Sequence, residues 1–251
     1  MCPLPEGEHT LGPLSSVRGI RSLPSVWYRD DFLGAGAVVI PAAGSAESGV
    51  DWVKGITGAA PPTVAGVADF AGGAVASTLT SASQAQNAAL YHGDQRGFLV
   101  TNGGILDGRF KVPVLPTSLG KLVFGLAGDL VADPDSITHS IWVAVTSAGI
   151  LVETDDNATD NSVDTGIDIV ADDIVAVKID YTRINDIRFY IAVNPTAGEF
   201  VPWRRVARTT TFAFAATGAS ATLQPYMTAA KASGAGVGTA YWDAIEINNR
   251  R

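Results

Sequence analysis

Hydrophobic and polar positions alternate with a period of two along much of the second half of the chain. Between residues 174 and 181, valine, isoleucine and tyrosine occupy every odd position from 175 onward, while Lys178 and Asp180 fall on the other face. Residues 187–194 repeat the pattern. Strict alternation indicates half-buried β-strands. The connector, residues 182–186, has the length and the Asn and Asp content of a hairpin loop.

The same reasoning predicts strands along most of the remaining chain. They are predicted over residues 26–33, 50–54, 62–68, 74–80, 87–91, 223–231 and 239–247, and around Phe110, Phe124 and Val143. Residues 83–90 are also compatible with one short helix, since Ala and Gln favour helices. No stretch of a dozen residues carries a helical apolar stripe. Short strands separated by turn residues predict an all-β fold, a two-layer antiparallel sandwich.

The first 25 residues differ from the rest. They contain four prolines and three glycines without a sustained period of either kind, which predicts an extended arm. We therefore divide the chain into an N-terminal arm, residues 1–25, and a β-sandwich domain, residues 26–251.

Composition limits the classes of function. The hydrophobic share of 47% and the charged share of 17% are those of a folded chain. With 17 Lys and Arg against 25 Asp and Glu, the net charge of −8 disfavours attraction to nucleic acid or to anionic membranes. The lone Cys2 cannot form an internal disulfide, and neither a spanning segment nor a secretory signal is evident. We expect no nucleic-acid or membrane partner.

The spacing of acidic residues along the sequence does not identify a catalytic pair. Cleavage of a glycosidic bond needs two carboxylates about 5 to 10 Å apart, and the chain has six glutamates. Asp243 and Glu246 are separated by an odd number of positions, so on a regular strand they would face opposite ways. The sequence predicts no enzyme and no cofactor.

Two other segments are candidates for binding. The acidic stretch containing Asp155, Asp156, Asn157 and Asp160 could offer oxygen ligands to a cation, although it lacks the spacing of an EF-hand, and a solvated loop is the favoured interpretation. Four of the five tryptophans fall in predicted strands, where core filling is the default. The fifth, in Trp203-Arg204-Arg205, is predicted to contact a partner, because Trp and Arg dominate interface hot spots.

Three segments resemble structural proteins of tailed bacteriophages. They are Asp30-Asp-Phe-Leu-Gly34, Gly120-Lys-Leu-Val-Phe-Gly-Leu126, and Leu223-Gln-Pro-Tyr-Met with Tyr241-Trp-Asp-Ala-Ile-Glu-Ile247. The resemblance implies a concanavalin A-like jelly-roll sandwich. It also implies a non-enzymatic protein of the virion, made in the host cytoplasm, that decorates and stabilises the outer surface of the head as a trimer bound to the major capsid protein.

An arm laid over a neighbouring subunit would add contacts to such a rigid domain. Its predicted partner-binding residues are apolar: Leu4, Pro5, Leu11, Leu14 and Ile20. Two alternatives remain. One is a glycan-binding module for host adhesion or a tail fibre, and the other is a jelly-roll glycoside hydrolase or lyase. The Glu-x-Asp-x-x-Glu strand of jelly-roll glucanases is absent.

Overall fold

A computed structural model describes residues 25–32, 40, 52–68, 70, 73–196 and 201–250. These residues form sixteen β-strands. The first eight are β1 (Ser25–Asp30), β2 (Val53–Thr57), β3 (Thr63–Gly66), β4 (Val75–Thr78), β5 (Gln86–Tyr91), β6 (Phe98–Leu99), β7 (Gly104–Val114) and β8 (Gly120–Ala127). The others are β9 (Ser140–Thr146), β10 (Gly149–Asp155), β11 (Asp160–Asp164), β12 (Ile174–Asp180), β13 (Arg188–Val193), β14 (Arg204–Arg205), β15 (Thr222–Lys231) and β16 (Thr239–Arg250).

The strands form two antiparallel sheets of eight strands each. In the front sheet the order is β14-β13-β12-β7-β16-β4-β3, and β1 also pairs with β16, beyond the end of β4. In the back sheet the order is β11-β10-β9-β8-β15-β5-β2, with β6 against β15. The protein is thus an all-β, two-layer sandwich, which confirms the predicted fold class.

The core lies between the two sheets. Phe110 of β7 stacks on Phe124 of β8 with ring centroids 5.6 Å apart, and Trp242 of β16 lies 5.3 Å from Phe110. Gly108 of β7 faces the same core, and a Cβ there would collide with the Phe124 ring. The inward residues of the front sheet are therefore closely packed, and the alternate residues of its strands point away from the core.

The outer face of the back sheet is covered by the chain itself. Trp142 of β9 and Tyr226 of β15 stack there with centroids 6.1 Å apart, and Leu130, Val131 and Ile137 of the segment after β8 pack against their cluster. This second apolar cluster explains why the central strands of the back sheet lack a clean alternation, because both of their faces are buried.

Most strand predictions agree with the structure. The predicted hairpin is confirmed, since β12 and β13 pair antiparallel from Asp180 opposite Arg188 to Val175 opposite Val193. The alternative of a helix over residues 83–90 is wrong, because β5 pairs with both β15 and β2. Within the described ranges, no helix has the length and apolar character needed to cross a membrane.

Candidate functional site

Six polar side chains form a straight row across the outer face of the front sheet. Each lies directly opposite the next on a neighbouring strand, in the order Arg205, Tyr190, Lys178, Asp107, Glu246 and Arg29. The residues that flank Tyr190, Lys178 and Glu246 along their strands belong to the core, so alternation sends the row outward. At about 4.8 Å per strand, the four members from Lys178 to Arg29 span about 14 Å. We call this set the cross-sheet row.

The four central groups of the row are, in order, a cation, two carboxylates and a cation. Lys178 Nζ lies 3.2 Å from Asp107 Oδ1 in an ion pair. Trp27 Nε1 donates a 2.9 Å hydrogen bond to Glu246 Oε1, and Arg29 stands opposite Glu246 in the β1–β16 pairing. The centre of the row therefore carries two adjacent carboxylates, flanked on each side by a cation.

A β-bulge brings a third carboxylate to this face. The pairing of β16 with β7 shifts register between Trp242 and Ala244, so Asp243 has no direct partner in the ladder. Its carboxylate accepts a hydrogen bond from Nε of Arg109, whose side chain is 45% exposed. The prediction that Asp243 and Glu246 face opposite sides is therefore wrong. It assumed a regular strand, whereas a bulge adds one residue and reverses the alternation.

Two tryptophans flank the row. Trp27 of β1 is 63% exposed, and Trp203, just before β14, covers Lys178 with Nζ 5.0 Å from the centre of its ring. Trp142 and Trp242 are buried as predicted. Core filling is thus wrong for Trp27, because β1 is an edge strand and this residue lies on its solvent side.

A groove of about 340 Å³ opens over this part of the sheet. Its floor comes from β7, β12 and β16, and Pro195, Thr196, Val201 and Trp203 form one wall. The lining includes Arg29, Asp107, Gly108, Arg109, Ala176, Pro195, Thr196, Val201, Trp203 and Ala244. Small residues on the floor leave room between charged and aromatic side chains, as in a site that takes a flat polar ligand.

The pKa of the Asp107 carboxyl group is raised. Burial raises the pKa of this carboxyl, the ammonium of Lys178 lowers it, and the negative charge of Glu246 raises it again, with a net shift upward. Burial disfavours the charged form, while an adjacent cation favours it. Perturbed carboxyl groups in a groove mark candidate functional sites.

The structure brings together only some of the residues that were predicted as sites. Trp203 and Arg205 lie at the groove and on the row, whereas Arg204 points away from Arg205 on the short β14 and is exposed. The predicted arm contacts, Leu4, Pro5, Leu11, Leu14 and Ile20, lie outside the described residues, as does nearly all of the arm. The division into arm and domain stays a prediction.

The acidic stretch forms the turn between β10 and β11. Asp155 Oδ1 accepts a hydrogen bond from the amide of Asn157, and Asp156 accepts hydrogen bonds from three amides, including one of 2.8 Å from Ala215. Asp160 begins β11 opposite Asp155. Among the residues that the structure describes, no three His, Cys, Asp or Glu side chains gather as metal ligands. The loop reading, with backbone amides bound to these carboxylates, fits better than a cation site.

Comparison with known proteins bears on the fold. No known protein family matches the chain, and no curated protein matches it. Among solved structures, a protein of unknown function from Shewanella oneidensis MR-1 is similar over 100% of this chain and 97% of its own, with 11% identity and a TM-score of 0.58.

Two further similar structures come from proteins of carbohydrate chemistry. A candidate β-glucanase of Mycobacterium abscessus is 15% identical, with 88% of this chain and 98% of the other covered and a TM-score of 0.48. A carbohydrate esterase of the Shiga toxin-encoding bacteriophage phi24B is 12% identical, with 84% and 97% covered and a TM-score of 0.44. At such identities the likeness concerns the jelly-roll fold.

The prediction that the chain is not an enzyme is corrected by these findings. Similar structures include a candidate glucanase and a carbohydrate esterase, and a fold alone does not determine whether a protein is an enzyme. The prediction rested on spacing within single strands. It could not detect Asp107 and Glu246, which are 139 positions apart in sequence and adjacent in the sheet.

Proposed function

We propose that this protein binds an oligosaccharide in the groove of the front sheet. The observation that carries the proposal is the cross-sheet row itself, a line of charged groups beside a groove, with Trp203 in the groove lining and Trp27 next to Glu246. Carboxylates and guanidinium groups make strong, directional hydrogen bonds to hydroxyl groups. Aromatic faces cover the apolar C–H face of a ring.

The shape of the site favours a chain of sugars over a single one. The row from Lys178 to Arg29 extends about 14 Å, which is longer than one sugar ring. Trp203 lies over Lys178, and Trp27 lies beside Glu246. The two rings are thus placed at different points along the ligand, so that each can cover a different sugar unit.

Charge compensation in the row favours a ligand rich in hydroxyl groups. Lys178 is paired with Asp107, and Arg109 is paired with Asp243. These pairs leave little net charge to attract a strongly ionic ligand, but their remaining lone pairs and N–H groups can bind hydroxyls. A neutral oligosaccharide has the chemistry that fits.

The test is a glycan microarray followed by calorimetry on the best ligand. Wild-type protein should bind at least one oligosaccharide, and Trp203→Ala should weaken the Kd about tenfold or more, or about 1.4 kcal/mol, through loss of stacking. Leu119→Ala is the matched control, because Leu119 is 69% exposed and outside the groove. No binding to any glycan, or equal Kd values for wild type and Trp203→Ala, would contradict the proposal.

This function corresponds to an adhesion-type module. The predicted role as a capsid decoration protein, a trimer on the outer surface of the head bound to the major capsid protein, stays a prediction. Its main support is the N-terminal arm, which lies outside the described residues. Deletion of residues 2–25, followed by measurement of binding to undecorated capsids, tests that role separately.

A further inference from the structure

Asp107 and Glu246 have the placement of a catalytic carboxylate pair. They lie directly opposite each other on the antiparallel strands β7 and β16, with both side chains on the outer face. Cβ atoms in such a pair are about 4.5–5.5 Å apart. Glycosidases that retain anomeric configuration hold their two carboxyl groups about 5–5.5 Å apart. Cβ atoms at this spacing allow the Asp107 and Glu246 carboxyl groups to reach the separation that this reaction needs.

The two carboxyl groups have different surroundings. Glu246 accepts the indole N–H of Trp27, and Arg29 stands opposite it in the β1–β16 pairing. Asp107 lines the groove, and burial raises the pKa of its carboxyl group. A carboxyl group whose pKa is raised by its surroundings can act as a proton donor in catalysis.

We infer that Asp107 and Glu246 hydrolyse a glycosidic bond of the bound oligosaccharide, with Asp107 as general acid and Glu246 as nucleophile. This inference rests on the proposed function, since the substrate is the oligosaccharide in the groove. Neither residue belongs to a local sequence motif, because each comes from a different strand.

The reaction balances in two steps. First, an oxygen of Glu246 bonds to the anomeric carbon, the bond from that carbon to the leaving oxygen breaks, and Asp107 gives its proton to that oxygen. The ammonium of Lys178, 3.2 Å from Asp107 Oδ1, stabilises the carboxylate that results. Then water gives a proton to Asp107, its oxygen bonds to the anomeric carbon, and Glu246 leaves as a carboxylate. One water is consumed for each bond cleaved.

A purely structural role for the pair makes different predictions. If the row only holds neighbouring strands together, neutral variants of Asp107 and Glu246 would change thermal stability and leave the ligand intact in every case. If the pair is catalytic, cleavage and its pH dependence change while binding persists.

The experiment uses the glycans identified on the microarray. Each is incubated with wild-type protein, new reducing ends are quantified, and the anomer first released is identified by NMR. We expect cleavage with retained configuration. Glu246→Gln and Asp107→Asn should lower the rate at least 100-fold, whereas the Kd should rise by no more than about tenfold, because each amide keeps one oxygen that can accept a hydrogen bond from the ligand. Asp172→Asn, an exposed carboxylate on a loop outside the groove, should match wild type.

Two additional readouts keep the test independent of folding. Glu246→Asp keeps the negative charge but shortens the side chain by one methylene group, so its carboxylate lies farther from the anomeric carbon. This variant should cleave slowly, whereas Glu246→Gln should not cleave. The rate of cleavage by wild type should also fall at alkaline pH, because Asp107 loses its proton. Asp107→Asn should remove this decrease from the pH–rate profile. Absence of cleavage by wild type of every bound glycan would overturn the inference and leave the proposed function intact. Absence of any bound glycan would overturn both.

Discussion

His92 should make the stability of the fold depend on pH between neutrality and about pH 4. The side chain is 1% exposed and lies after β5, with its ring 4.6 Å from Trp52 and 5.2 Å from Tyr28 of β1. Neither ring nitrogen has a hydrogen-bond partner within the described part of the chain. Burial lowers the pKa of His92 to about 4, from an ordinary value of 6.5.

The sign and size of the effect follow from proton linkage. Above pH 6.5 the imidazole is neutral in both the folded and the unfolded chain, so it adds no pH dependence. As pH falls below 6.5, the unfolded chain binds a proton that the folded chain does not, and folding weakens by about 1.4 kcal/mol per pH unit. The loss is complete near the folded pKa of about 4 and sums to about 3 kcal/mol.

The assay is urea unfolding of wild type and of His92→Phe at pH 7 and pH 4. Carboxylates make both proteins less stable in acid, but the variant should lose about 3 kcal/mol less than wild type over this interval. His139→Gln serves as a control, since it removes another histidine but leaves the buried imidazole. Equal losses for wild type and His92→Phe would refute the reasoning. Because Tyr28 packs on His92, weakening this contact should also loosen β1 and reduce glycan affinity in acid.

Two further predictions concern the packing that supports the sheets. Gly125→Ala should destabilise the fold by about 3 kcal/mol, because a Cβ there would stand 2.6 Å from the Cα of Trp142; an unfolding free energy within 0.5 kcal/mol of wild type would contradict this. Lys231→Met should cost about 3 kcal/mol, because this ammonium is 1% exposed and donates to three backbone carbonyls of two loops. Both are measured by urea unfolding, and Lys54→Met, which should change stability by less than 0.5 kcal/mol, is the control for the second.

Strand positions were predictable wherever one face of a strand is buried. Apolar and polar residues alternate along β12 and β13, because one face of each strand lies in the core and the other faces outward. The period-two pattern therefore predicted both strands. β5 could not be distinguished from a helix by pattern, because all six of its residues are buried. β10 and β11 were not among the predicted strands, and β11, an edge strand with no buried residue, carries no apolar alternation that could have located it.

The candidate site could be predicted only in fragments. Trp203 and Arg205 were identified from composition alone. Asp107, Glu246 and Arg29 were not, because their proximity depends on which strands are neighbours and in which register they pair. Asp243 was assigned to the wrong face because the sequence gives no sign of the bulge before Ala244. These are properties of long-range pairing, and a single sequence does not encode them in any local pattern.

Hydroxyl-radical footprinting of the protein with and without its oligosaccharide tests the central claim most directly. The claim is that the ligand lies along the cross-sheet row between Trp27 and Trp203. Both indoles should be oxidised several-fold more slowly when the glycan is bound. Leu119 and Val170, which are 69% and 66% exposed and do not line the groove, should react at unchanged rates. Protection of Leu119 or Val170 with Trp27 and Trp203 unchanged would contradict the account.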